Sequence, residues 1–215
     1  MLIRMIGLTG MMLLVCFSIR GQTDPDIFFH AVNTGNTEKL TELLEQGADP
    51  NMMSPLGATP LFHAVWSNQV ASAEVLIKYG ADVNKLTAGY GLPIVHAAQM
   101  GNPGMIMLFL NHEADPNARD GEGKMALMVA IDNEHTRAAC VLIKKGADVN
   151  ACGPGNRTPA HYAAMHNDVK ILEKLKNAGA DMNQVTEDGE TPLQIAERLG
   201  HAEAVEFLKG LTRDH

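Results

Sequence analysis

Between Met125 and Asp132 the chain reads Met-Ala-Leu-Met-Val-Ala-Ile-Asp, a short apolar run rich in small residues, which predicts a helix packed closely on both sides. A break follows at Asn133-Glu134. From His135 to Lys145, residues Ala138, Ala139, Leu142 and Ile143 fall at i, i+1, i+4 and i+5, forming one apolar stripe of helical period. Lys144 and Lys145 complement the helix dipole in the last turn, and Gly146 can take the left-handed conformation that ends a helix. Asp148, Asn150 and the glycines beyond supply turn chemistry before the next apolar run. The predicted unit is helix, tight turn, helix, then a loop or hairpin.

That unit recurs every 33 residues. Gly47-Ala48-Asp49-Pro50-Asn51 returns as Gly80-Ala81-Asp82-Val83-Asn84, Glu113-Ala114-Asp115-Pro116-Asn117, Gly146-Ala147-Asp148-Val149-Asn150 and Gly179-Ala180-Asp181-Met182-Asn183. A second register begins with Thr59-Pro60-Leu61, Leu92-Pro93-Ile94, Met125-Ala126-Leu127, Thr158-Pro159-Ala160 and Thr191-Pro192-Leu193, each followed by an alanine: Ala64, Ala97, Ala130, Ala163 and Ala196. One period earlier lies Ala31, so the array has six units, about 22–53, 54–86, 87–119, 120–152, 153–185 and 186–211, with a polar tail at 212–215. Fixed self-similarity of this length marks a stack in which each unit buries its apolar face on its neighbours.

Thr158-Pro159-Ala160-His161-Tyr162-Ala163-Ala164 and Thr59-Pro60-Leu61, each followed by Gly-Ala-Asp-x-Asn, resemble the ankyrin repeat, and the resemblance covers roughly residues 24–211. It implies an all-α solenoid of six helix–turn–helix units joined by loops or β-hairpins, acting as a non-catalytic protein-interaction module. The departures are specific. The histidine of the motif is present only at His161, its counterparts being Phe29, Phe62, Val95, Met128 and Gln194. Glu113 replaces a glycine and lacks its freedom at positive φ, which predicts a less regular helix end there.

Composition adds compartment and partner. The 215 residues are 46% hydrophobic and 20% charged, with a formal charge of −8, and no Lys/Arg cluster suits a nucleic-acid surface. Arg4 precedes a mostly apolar run from Met5 to Ile19, and no acid occurs before Asp24, which is the pattern of a secretory signal peptide over residues 1–21. Its removal takes Arg4 and Arg20, leaving 15 basic against 25 acidic residues. The expected destination is periplasmic or extracellular; an uncleaved membrane anchor over residues 5–19 is the alternative, although that run is short for a span of about 20 residues. The combination resembles small exported bacterial ankyrin-repeat proteins, some associated with peroxide defence.

Candidate chemistry is sparse. His30, His63 and His96 stand 33 residues apart, so their side chains run parallel instead of converging, which predicts a packing or hydrogen-bonding ladder and no metal site. Cys140 and Cys152 are expected as separate thiols, since a bridge needs the loop to fold back; a redox role for them or for surface methionines is the alternative function. No oxyanion hole or orienting acid accompanies a Cys/His pair, and no catalytic residue, cofactor or metal is expected.

The resemblance implies binding at the loop tips and the exposed side of each first helix, with another protein as partner and the chain itself monomeric. Carried over by register, those positions are Met53, Leu56, Ala58 and Trp66 in the second unit, Leu86, Tyr90 and Met100 in the third, Lys124 and Asp132 in the fourth, and Cys152, Arg157 and Met165 in the fifth. Trp66, the only tryptophan, is the leading anchor because aromatic residues dominate interface energetics; covering a gap between units is its alternative role.

Overall fold

A computed structural model describes residues 24–87, 89 and 91–213. The leading segment 1–21, with its expected signal or anchor, lies outside the described residues. Twelve α-helices in six pairs make up the described chain: α1 Pro25–Thr34 and α2 Thr37–Glu45, α3 Pro60–Trp66 and α4 Val70–Lys78, α5 Pro93–Gln99 and α6 Pro103–Asn111, α7 Ala126–Asp132 and α8 Thr136–Lys144, α9 Pro159–Met165 and α10 Val169–Asn177, α11 Pro192–Leu199 and α12 Ala202–Arg213. Each first helix packs on its own second helix and on the first helix of the next unit, while the second helices stack in their own column. None of these helices is long and apolar enough to cross a membrane.

The two columns have different cores. Ala64, Ala97, Ala130, Ala163 and Ala196 are wholly buried between successive first helices, where a larger side chain would hold the backbones apart. In the second column, Leu40, Ala73, Ile106, Ala139 and Leu172 form one buried row, and Leu43, Leu76, Phe109, Leu142 and Leu175 form another, three residues on along each helix. Proline at the first helical position fixes φ where no amide donor is needed.

Hydrogen bonds between loops lock the columns together. The Asn51 amide donates to Gly80 O at 2.9 Å while its carbonyl accepts the Asp82 amide at 2.8 Å. Asn150 repeats both bonds to Gly179 O and Asp181 N, at 3.1 and 2.7 Å, and Asn84 repeats them more loosely to Glu113 O and Asp115 N. Asn117 accepts from Asp148 N at 2.8 Å. Inside each loop the aspartate carboxylate accepts the amide of the asparagine two residues on, as Asp49 does from Asn51. The loop tips close in register as well: Ser54 N–H bonds Ala58 O, Thr87 and Gly91 exchange two bonds, and Asp120, Gly153 and Thr186 donate to Lys124, Arg157 and Glu190.

Backbone strain is concentrated where the sequence departs from glycine. Gly47, Gly80, Gly146 and Gly179 have φ between 88° and 96°, and a Cβ at any of them would meet nothing within 4 Å, so backbone angle alone selects glycine. Glu113 adopts φ 65° in the same register. The preceding His112 moves to φ −114°, ψ 37°, against φ −95°, ψ 13° at Tyr79 and φ −93°, ψ 11° at Lys145, yet Ala114 N still bonds Phe109 O at 3.0 Å. The helix end is less regular, as expected, but its closing bond survives.

His161 begins α9. Its Nδ1 accepts the Thr158 amide at 3.0 Å and lies 2.8 Å from the Thr158 hydroxyl, so Nδ1 is unprotonated and Nε2–H donates to Glu190 O at 3.1 Å. In the sixth unit Gln194 Oε1 takes the same amide bond from Thr191 at 2.9 Å. Burial holds His161, His96 and His63 below the ordinary histidine pKa of 6.5. The unfolded chain therefore binds protons more readily than the native one, so stability is fully present above about pH 6.5 and is lost as pH falls toward the depressed native values.

Two outcomes follow for equilibrium unfolding in urea. The midpoint falls between about pH 7.5 and about pH 5.5, and His161→Gln, which preserves the cap as Gln194 does, shows a smaller fall; an equal fall would exclude His161 as a contributor. Asn150→Ala removes both inter-loop bonds and lowers stability by about 1–2 kcal/mol at neutral pH, whereas an unchanged midpoint would show that water replaces them at no cost.

Candidate functional site

Ring stacking positions Trp66 at the end of α3. Its indole is parallel to the His96 imidazole, 5° apart with centroids at 5.8 Å, and lies 6.3 Å from Phe62, which itself stacks on His96 at 4.5 Å. One unit earlier His63 packs against Phe29 at 4.6 Å. The histidine register is thus a ring-packing ladder in the second and third units. His96 Nδ1 lies 3.3 Å from Gln99 Oε1 and His63 Nδ1 lies 3.2 Å from Asn33 Oδ1, so each ring is held at one nitrogen. Among the described residues no three His, Cys, Asp or Glu side chains form a group that could hold a metal ion.

Trp66 nevertheless remains 61% exposed, so its stacking contacts leave much of its surface in solvent. Along the same stretch of chain Leu56 is 78% exposed, Leu86 63%, and Met53 and Met100 45% each. Five of the eight large exposed hydrophobics among the described residues fall between Met53 and Met100. Met100 also lines an open groove with Val65, Asn68, Val70, Gly101, Asn102 and Pro103. Tyr90, expected beside them, lies outside the described residues. Ala58 corrects the register-based expectation: it is 3% exposed, because its amide bonds Ser54 Oγ and its carbonyl accepts Ser54 N–H in closing the tip.

The fourth and fifth units are polar on this side. Lys124 Nζ bonds Asp132 Oδ2 at 2.8 Å and stands 5.8 Å from the centre of the Tyr162 ring. Asp132 Oδ1 lies 3.2 Å from His166 Nε2. Burial pushes the Asp132 carboxyl upward, but the bonds from Lys124 and His166 outweigh it and hold the group below its ordinary value, while the Asp132 bond raises Lys124. Arg157 and Met165 are half-buried. The Lys124–Asp132 pair spans eight residues from loop to helix and the Asp132–His166 pair spans 34, so neither carries a local sequence signature.

The two cysteines among the described residues are free thiols: Cys140 packs half-buried against the core, and Cys152 Sγ lies 3.0 Å from Gln184 Nε2 in the loop. The Trp66–His96 stack supplies an optical reporter. Protonating His96 places a cation on the indole face, so Trp66 emission steps with a midpoint below pH 6.5, the ordinary histidine value from which burial lowers His96. The step disappears in His96→Phe; a step that persists there would assign it to another group.

Three segments, residues 9–87, 88–152 and 151–214, match the family model described as ankyrin repeats in three copies. The fold is similar to the crystal structure of an ankyrin repeat domain from Acinetobacter baumannii AYE, with a TM-score of 0.80 and 28% sequence identity over 86% of this chain and 97% of that one. No curated protein matches the chain. Shared period, helix-pair architecture and family match agree: this chain belongs to the ankyrin-repeat family.

Proposed function

We propose that this chain binds a partner protein through the face formed by its loop tips and first helices, with Met53, Leu56, Trp66, Leu86, Tyr90 and Met100 as the apolar centre. Ankyrin repeats generally mediate binding to other proteins and are typically non-enzymatic, which supports this reading. The observation that carries this reading is the 61% exposure of an indole whose other contacts already fix it in place. A rigid aromatic surface loses little side-chain freedom on binding, which is why such residues anchor interfaces. Lys124, Asp132, Arg157 and Met165 extend the face toward the C-terminal units. The apolar run after Arg4 supports an exported, periplasmic or extracellular setting for this binding.

Photocrosslinking in the cell of origin tests the reading. A photoreactive side chain at position 56 or 100 gives partner adducts that Trp66→Ala diminishes by about tenfold or more, as expected for an aromatic anchor, while the same group at position 74 on α4 gives none. Equal adducts from position 74, or adducts indifferent to Trp66→Ala, would place the interface elsewhere.

A further inference from the structure

Positions 124, 157 and 190 share one register, and positions 132, 165 and 198 share another, eight residues on in each unit. In the fourth unit this pair is the Lys124–Asp132 bridge. In the sixth it is Glu190–Arg198, joined by two bonds of 2.7 and 3.1 Å. The fifth unit breaks the pattern: Arg157 stands opposite Met165, and its guanidinium has no hydrogen-bond or ion-pair partner among the described residues.

The neighbouring acids do not fill that vacancy. Asp132 is engaged by Lys124 and His166, and Glu190 by both arms of Arg198. The loop acids Glu122 and Asp188 act on Lys124 and Arg198 respectively. Arg157 is felt electrostatically by His161, Tyr162 and Glu190, which places its charge amid the fifth and sixth units. The result is a guanidinium on a half-buried residue that has no hydrogen-bond or ion-pair partner among the described residues, and its planar fork suits a carboxylate. A single such cation does not make a surface for nucleic acid or anionic lipid, which need clusters.

Resting on the protein-binding reading above, we infer that Arg157 receives a carboxylate of the partner: an elongated acidic segment that lays an aromatic or aliphatic side chain on Trp66 and an Asp or Glu on Arg157. Met165 lies three units beyond Trp66 in the same register. At about 8–10 Å per packed helix the two contacts are roughly 24–30 Å apart. That distance corresponds to about 16–20 residues of partner helix or about 8 residues of extended chain.

A displayed library of random peptides of about 20 residues, panned against the full chain, supplies the probe. The expected binders carry an acid at one of those two spacings from an apolar anchor. Individual binders lose about tenfold in affinity with Arg157→Met, and equally with Met165→Glu, which gives the guanidinium an internal acceptor without removing it. Binders weakened by Trp66→Ala but indifferent to both fifth-unit variants would leave the apolar face standing and overturn the carboxylate contact. Binders indifferent to all three, or no enrichment at all, would sink both readings. A dimer in sedimentation that Trp66→Ala dissolves would assign the face to a second copy of this chain instead.

Discussion

One asparagine amide at each of the first four joints holds the solenoid in register. A helix pair alone fixes only which faces meet; sliding by a fraction of a turn costs little between alanine surfaces. The Asn51 and Asn150 side chains remove that freedom, because each offers a donor and an acceptor to two backbone groups of the next loop at once. An aspartate there could not donate and a serine could not span both groups. The preceding aspartate then shapes the loop from which the amide projects. With loops fixed, the alanines of the first helices and the leucine rows of the second helices can meet at packing distance.

Against this common frame the units differ mainly on one side. The stretch from Met53 to Met100 carries Trp66 and four further exposed apolar side chains, and the fourth to sixth units carry interlocking charges. His161 links the fifth unit to the carbonyl of Glu190, and His166 links it to Asp132, so the polar half is stitched by contacts specific to its residues. The ring ladder of the apolar half is specific in a different way, since Phe62, His96 and Trp66 occupy one another's stacking surfaces.

Much of this was legible in the chain. Helical period, terminal glycines and the 33-residue repeat located the helix pairs, because each of those signals acts within a few residues. The role of Asn51 as a tie between loops was not legible: its partners lie 29 and 31 residues away, and the same residue type is ordinary turn chemistry. Register alone turned Ala58 outward, whereas closure of its tip against Ser54 turns it inward. Nor does glycine's absence at Glu113 reveal whether the helix end moves or the glutamate accepts the strain; the backbone divides the difference, with His112 shifted and Glu113 still at positive φ. The exposed apolar positions followed from register because side-chain identity and outward direction there need no distant partner.

The amide tie also bears on how such a chain can change in length over generations. It reads only backbone groups of the following loop, so it is indifferent to which unit supplies them. Duplication or loss of a whole 33-residue module in the first half leaves every such joint with a matching mate. In the second half the same event separates the Asp132 carboxylate from His166, a side-chain pair that no other unit can supply, so the order of modules there is part of the inheritance.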